Sequence, residues 1–187
     1  MNIDEIINQI YALPPASALR LKQTIEEVKY PKGHILFEEG KTGRSVYFIK
    51  KGIVRAFLYQ NNNEVTFWFG TEGDTVISMK SYVSNKPGYE SIELLEDSIL
   101  YRIQNRQLQK LFDEDIFIAN WGRKFAETEL VKAEERFISR QFIAAADRYE
   151  TLISTNPALL QRVQLCHIAS YLGITQVSLS RIRADVK

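Results

Sequence analysis

Cysteine is almost absent: Cys166 is the only one in 187 residues. A single thiol excludes an intramolecular disulfide framework and any four-cysteine zinc or iron–sulfur site, and it fits a reducing compartment. Histidine is nearly as scarce, with only His34 and His167. Cys166 and His167 are helical neighbours whose side chains diverge by roughly 100°, a poor nucleophile–base geometry, and no other catalytic motif stands out. A bias of charge is missing too. Lys and Arg number 24 against 23 Asp and Glu, so no global pull toward nucleic acid or anionic lipid exists and any basic surface must be local. No apolar run reaches membrane-spanning length, and the opening MNIDEIINQIYALPP lacks the basic start, apolar core and cleavage site of an export signal. These absences lead to the expectation of a soluble cytoplasmic protein, not an enzyme, with no cofactor, metal or membrane partner. What is present, 45% apolar and 25% charged residues, is enough for one large or two small cores and excludes disorder.

Ile3, Ile6, Ile7 and Ile10 recur at helical spacing, Pro14-Pro15 stop that helix, and Ala18, Leu21, Ile25 and Val28 suggest a second one. From Lys29 to about Ile103 the texture changes to short β-branched and aromatic runs: His34–Phe37, Val46–Lys50, Ile53–Tyr59, Val65–Phe69, Thr75–Ser78, Ser91–Leu95 and Ile99–Ile103. The spacing predicts a barrel or roll of antiparallel strands. Gly33, Gly40, Gly52 and Gly73 suit its tight turns, and Gln60-Asn61-Asn62-Asn63 suits a hairpin tip. The acidic residues Glu90, Glu93, Glu96 and Asp97 alternate with Ile92, Leu94 and Leu95, as in a half-exposed strand with solvated charges.

Helical periodicity returns after Gln107 and continues without proline from about Asp115 to Ser154. Ile118, Trp121 and Phe125 form one stripe; Ala126, Leu130, Ala133 and Phe137 continue on a neighbouring face. Two apolar faces need two partners. One can pack on the roll and the other on the same helix of a second copy, making Trp121, Phe125, Leu130 and Phe137 the candidate dimer interface; the alternative is a helix sandwiched inside one subunit. Gly122 costs this helix about 1 kcal/mol unless a close contact uses its small size. A break is expected near Ile143–Asp147, before a helix carrying Tyr149, Leu152 and Ile153 that ends at Asn156-Pro157.

The final segment carries the most specific pattern. Ile168, Ala169, Leu172, Ile174, Leu179 and Ile182 fall where a helix-turn-helix buries its small core, and Gly173 falls where its turn needs positive φ. Thr175 suits the N-cap of the second helix. That leaves Gln176, Val177, Ser178, Ser180, Arg181 and Arg183, with Thr175, as candidate DNA-contacting residues. Gln can bond adenine and Arg guanine, Val can touch a thymine methyl, and Ser can reach phosphate. From Pro157 onward Arg162, Arg181, Arg183 and Lys187 face only Asp185, a local charge of +3 within a chain of +1, so the rest carries −2. The alternative is a small-molecule or protein-binding roll whose terminal helices contact another protein.

The roll segment YPKGHILFEEGKTGRSVYFIKKGIVRAFL, then Gly73-Asp74, a long helix and IASYLGITQVSLSRIR together resemble the Crp/Fnr family of bacterial transcription regulators. The resemblance covers nearly the whole chain. It implies an α+β fold: an antiparallel β-roll of the cyclic-nucleotide-binding, jelly-roll type with N-terminal helices over 1–114, a long dimerisation helix over 115–142, and a helix-turn-helix over 143–187 without an evident wing. It further implies a homodimer placing two recognition helices about 34 Å apart on a palindromic double-stranded DNA operator, with Gln176, Val177 and Arg181 where bases are read. Activation would also require a patch that touches RNA polymerase, and no loop announces one.

The chain departs from the family pattern where the cyclic nucleotide's phosphate is held. The expected Gly-Glu pair is replaced within Val76-Ile77-Ser78-Met79-Lys80, and the expected Arg before Ser or Thr is replaced by Glu90 before Ser91. A carboxylate facing a phosphate repels it by several kcal/mol at an effective dielectric constant of about 20. Cyclic AMP is therefore not the expected effector. Met79, Glu90 and Ser91 remain as a degenerate ligand pocket, which either takes another small-molecule effector or is filled by Phe67, Phe69 and Met79. With one thiol, a cluster-type oxygen sensor is excluded.

Overall fold

The chain, described here by a computed structural model, is placed over residues 1–61 and 63–185. It divides into two compact units: Met1–Ala56 with Phe69–Glu129, and Phe57–Trp68 with the residues from Leu130 onward.

The first unit opens with α1 (Ile3–Ile10) and α2 (Pro15–Gln23). Asn2 and Glu5 form a reciprocal capping box, with the Asn2 side chain accepting the Glu5 N–H at 2.9 Å and the Glu5 carboxylate accepting the Asn2 N–H at 2.7 Å. Pro15 occupies the first turn of α2, where its missing N–H costs nothing. The second helix is shorter than its apolar spacing suggests. Thr24 ends it by turning both its N–H and its hydroxyl onto the Leu21 carbonyl, and Val28 belongs to strand β1 (Glu26–Tyr30), which pairs antiparallel with β8 (Ser98–Gln104). Long-range pairing overrides the local helical period at Ile25 and Val28.

The remaining strands are β2 (Ile35–Phe37), β3 (Ser45–Lys51), β4 (Val54–Gln60), β5 (Asn63–Gly70), β6 (Thr75–Val76) and β7 (Ser91–Leu94). They form two four-stranded sheets ordered β1-β8-β3-β6 and β2-β7-β4-β5, the expected β-roll. Register in the first sheet runs from Ser45 opposite Gln104 to Ile49 opposite Leu100, then slips before Lys51. The slip leads into Gly52 at φ +131°, where a Cβ would fall 2.1 Å from the Ser98 hydroxyl. Only glycine passes there. Asn61 at the β4–β5 turn has φ +51°, as a hairpin tip needs; Asn62, the other half of that expected turn, lies outside the described residues.

Between β6 and β7 lies a one-and-a-half-turn helix, α3 (Met79–Ser84), where the sequence pattern named no element. After β8, α4 (Asn105–Glu114) leads to α5 (Ile116–Phe142), the long helix expected from the proline-free stretch. Asp115 caps α5 by accepting the Phe117 and Ile118 amides at 3.0 and 3.3 Å, and Ser17 and Arg20 of α2 hold the same carboxylate. Burial pushes the Asp115 pKa up, but those hydrogen bonds and Arg20 outweigh it, leaving the carboxyl below its ordinary range.

The start of α5 enters the core of this unit. Ile118 and Trp121 pack with Ile6, Ile7, Leu21, Val46, Phe48, Tyr101 and Ile103. Trp121 is 2% exposed, its indole N–H donates to the Ile7 carbonyl at 3.0 Å, and its ring meets Phe48 edge-on at 6.1 Å. Trp121 is therefore a core anchor within one protomer, not an interface residue. Its stripe mate Phe125 is half-buried, whereas Leu130 and Phe137 are 71% and 66% exposed. Gly122 sits against Phe112, whose ring would be 2.5 Å from an added Cβ. The small residue is used, as the helix-propensity argument required.

The second unit contains the last two turns and more of α5, then α6 (Ala145–Thr155), α7 (Pro157–Arg162), α8 (Leu165–Leu172) and α9 (Gln176–Asp185). The break between α5 and α6 falls at 143–144, inside the expected window. The Phe57–Trp68 segment, from β4 and β5, falls in this unit. Its physical link is Ser170, whose hydroxyl accepts the Thr66 N–H and donates to the Glu64 carbonyl, both at 2.9 Å. A helix side chain thus satisfies a strand's backbone.

Candidate functional site

Helices α8 and α9 are joined by Gly173 in the left-handed conformation, φ +68° and ψ +31°. The Ile174 N–H donates to the Ala169 carbonyl and the Gly173 N–H to the Ser170 carbonyl, both at 3.0 Å, which is the double closure of a Schellman turn. Arg148 of α6 adds a third tie, donating to the last carbonyl of α8 at Leu172 and to the Ile143 carbonyl. Ile168, Ala169, Leu172 and Leu179 are buried between the helices, while Ile174 and Ile182 are half-buried.

Thr175 caps α9: its hydroxyl oxygen accepts the Ser178 N–H at 3.1 Å. Gln176, Val177, Ser180, Arg181 and Arg183 are exposed along the same helix. Ser178 differs from that expectation of outward projection. It is half-buried and its hydroxyl lies 2.9 Å from that of Thr175, committed to the cap. Ser180 donates to the Gln176 carbonyl at 3.0 Å and retains its lone pairs for outside donors. Neither Arg181 nor Arg183 forms a salt bridge among the described residues, so the cationic edge read from the sequence is available.

The roll brings together a different set from the expected Met79, Glu90 and Ser91. Met79 is 49% exposed at the start of α3. Phe67 and Phe69 are half-buried. Ser78, one position earlier, is buried in its place with Ser81, Gly88, Glu90 and Ser91. The Ser78 hydroxyl bonds that of Ser81 at 3.1 Å, and Ser81 donates to the Lys86 carbonyl at 3.0 Å. Ser91 accepts the Glu39 N–H at 3.1 Å, and paired bonds between Gly40 and Gly88 and between Gly88 and Lys41, both 3.0 Å, hold the adjoining loop. One turn into α3, burial pushes the Tyr82 phenol to about 12, so it stays neutral.

Glu90 overturns the expectation of solvated charge: it is 4% exposed. One oxygen, Oε2, accepts the Tyr89 N–H at 3.1 Å, and Oε1 has no hydrogen-bond partner among the described residues. The next acidic residue, Glu93, pairs with the buried guanidinium of Arg55 at 2.5 Å, and Asp97 accepts the Lys32 N–H at 2.8 Å. Alternation along a strand could not separate these three fates, because only Glu93 lies on β7, while Glu90 precedes the strand and Asp97 follows it. A cleft of about 370 Å³ opens elsewhere, between β2 and β3, lined by Phe37, Lys41, Arg44, Ser45 and Tyr47 among others. His34 stacks on Tyr30 with ring centroids 4.2 Å apart.

Residues 27–115 match the cyclic nucleotide-binding domain family. Among solved structures, the chain is similar to FixK2 from Bradyrhizobium japonicum, at 21% identity over 87% of this chain and 84% of that one, with a TM-score of 0.76. The chain has the fold of the Crp/Fnr regulators. A putative transcriptional regulator of the crp/fnr family from Eubacterium rectale aligns over 91% of this chain and 82% of its own, at 15% identity and a TM-score of 0.71. The Thermus thermophilus catabolite activator protein aligns over 95% and 85%, at 18% identity and a TM-score of 0.60. No curated protein sequence matches the chain. Among the described residues no helix is long and apolar enough to cross a membrane, and no group of His, Cys, Asp and Glu is placed to hold a metal ion.

Proposed function

We propose that this Crp/Fnr-type chain is a cytoplasmic, homodimeric regulator of transcription that reads duplex DNA with α9. The observation that carries the reading is the exposed edge of α9, where Gln176, Val177, Arg181 and Arg183 stand on a helix start fixed by Thr175 and by the Gly173 turn. Bidentate Gln and Arg groups and a methyl-bearing Val on one rigid helix suit base edges in a major groove. Ser180 and Arg183 suit backbone phosphate. The exposed Leu130 and Phe137 on α5, joined by Val131, Ile138 and Phe142, supply an apolar face for pairing with a second copy. Two α9 helices then address half-sites about one helical turn apart on a palindromic operator.

The decisive measurement is selection of duplex fragments by the purified chain, followed by affinity for the selected site as salt is varied. Affinity should fall steeply with salt, and Arg181→Ala should cost about 1–3 kcal/mol while relaxing preference at one base position. Unchanged operator affinity in that variant refutes the assignment of α9. Absence of any duplex binding in dilute buffer favours the alternative, a roll whose terminal helices contact another protein. In calorimetry cyclic AMP should give no saturable heat, because Glu90 is buried where a phosphate would need a cation.

A further inference from the structure

The environment of Glu90 is rich in acceptors and poor in donors. Ser81 spends its hydroxyl hydrogen on the Lys86 carbonyl, so the hydrogen between Ser78 and Ser81 must come from Ser78. The Ser78 oxygen is left with lone pairs only. Glu90 presents Oε1 with no partner and Oε2 with a single backbone donor. These three oxygens gather round the bare Cα of Gly88: a Cβ there would lie 2.7 Å from Ser78 Oγ and 3.3 and 3.4 Å from Oε1 and Oε2 of Glu90. No Lys, Arg or His among the described residues pairs with the carboxylate, although the group is 96% removed from solvent. Buried carboxylates are retained when paired and hydrogen-bonded, and an unpaired buried oxygen calls for a partner. Gly88 is flanked by exposed Pro87 and Tyr89, which puts the niche one residue below the surface.

We propose that Ser78, Gly88 and Glu90 form a receptor niche for a cationic, N–H-donating small molecule, an ammonium or guanidinium compound. Such a group supplies what the niche lacks, a positive charge and two or more donors for Oε1 and the Ser78 oxygen, and an anion meets only repulsion there. With glycine at 88, no Cβ crowds the three oxygens. The inference deepens the proposed function and rests on it only in taking the roll as the effector domain.

The test uses the full chain without DNA. Titration calorimetry with agmatine, which carries an ammonium at one end and a guanidinium at the other, should give saturable binding. Inorganic phosphate and cyclic AMP at equal ionic strength should give none. Glu90→Gln keeps the shape, removes the charge, and should weaken agmatine by roughly tenfold or more. In thermal melts the ligand-free Glu90→Gln chain should be at least as stable as the parent, and agmatine should stabilise only the parent. Gly88→Ala provides a second variant with the carboxylate intact, and it too should lose binding. Absence of saturable heat from agmatine, methylammonium and methylguanidine alike overturns the proposal, as does binding that Glu90→Gln leaves within about twofold. Because no DNA is present, cation binding without duplex binding sinks the regulator reading alone, and duplex binding without cation binding sinks this inference alone.

Discussion

Replacing Trp121 by phenylalanine separates a core residue from an interface residue in one measurement. The indole is 2% exposed and bonded through its N–H to the Ile7 carbonyl of α1 at 3.0 Å. Phenylalanine retains most of the apolar burial but loses that hydrogen bond, at about 1 kcal/mol because the Ile7 carbonyl keeps the Tyr11 N–H, and leaves a void beside Phe48 that adds to the loss. A total of about 2 kcal/mol should lower the melting temperature by roughly 4–8 °C for a chain of this size. If Trp121 acts within one protomer, the shift will be the same at every protein concentration. An interface residue would instead weaken the dimer, and its effect would grow on dilution. Differential scanning calorimetry across a hundredfold range of concentration, with sedimentation at each end, reads both quantities. A variant of parental stability, or one whose deficit disappears at high concentration, would refute the packing argument.

Gly122→Ala gains about 1 kcal/mol of helix propensity but drives a methyl to 2.5 Å from the Phe112 ring, so a double-mutant cycle with Phe112→Leu should show a coupling of about 0.5–3 kcal/mol in urea unfolding; additivity would mean the two do not touch. Asp115→Ala should cost about 1 kcal/mol at neutral pH through loss of the α5 cap. Because the folded-state pKa of Asp115 lies below its unfolded value, its stabilising contribution is present above the ordinary Asp pKa and is lost as pH falls through the depressed one; the gap between parent and variant should close there in acid titration of stability. Arg148→Met removes both donations to the Leu172 and Ile143 carbonyls, and should speed amide exchange at Gly173 and Ile174 while leaving exchange in α1 unchanged.

The roll and the helices were legible because their signals are periodic and local. Glycines at Gly33, Gly40, Gly52 and Gly73 all take positive φ, and the β-branched runs between them became strands within one or two residues of their expected ends. Val28 was misassigned because its helical spacing from Leu21 and Ile25 is equally compatible with a strand once β8 offers a ladder. Trp121 failed for a different reason. A stripe identifies an apolar face but not its partner, and Ile118 and Trp121 face α1 and β3 while Leu130 and Phe137, on the same helix, face solvent.

The candidate sites divide along the same line. On α9 the sequence pattern named the exposed residues because a helix cap and a left-handed glycine fix orientation locally, and Thr175 and Gly173 do so here. In the roll, nothing local says that Ser78 and not Met79 turns inward, since α3 begins between them and changes which side chain meets Gly88. Glu90 shows the limit most clearly. Its charge argued for solvent, and its alternation with Ile92 and Leu94 agreed, yet the loop bonds joining Gly40, Lys41 and Gly88 enclose it. A buried carboxylate oxygen without a partner calls for one, which is why the proposed cation niche is placed at Glu90 and not in the cleft between β2 and β3.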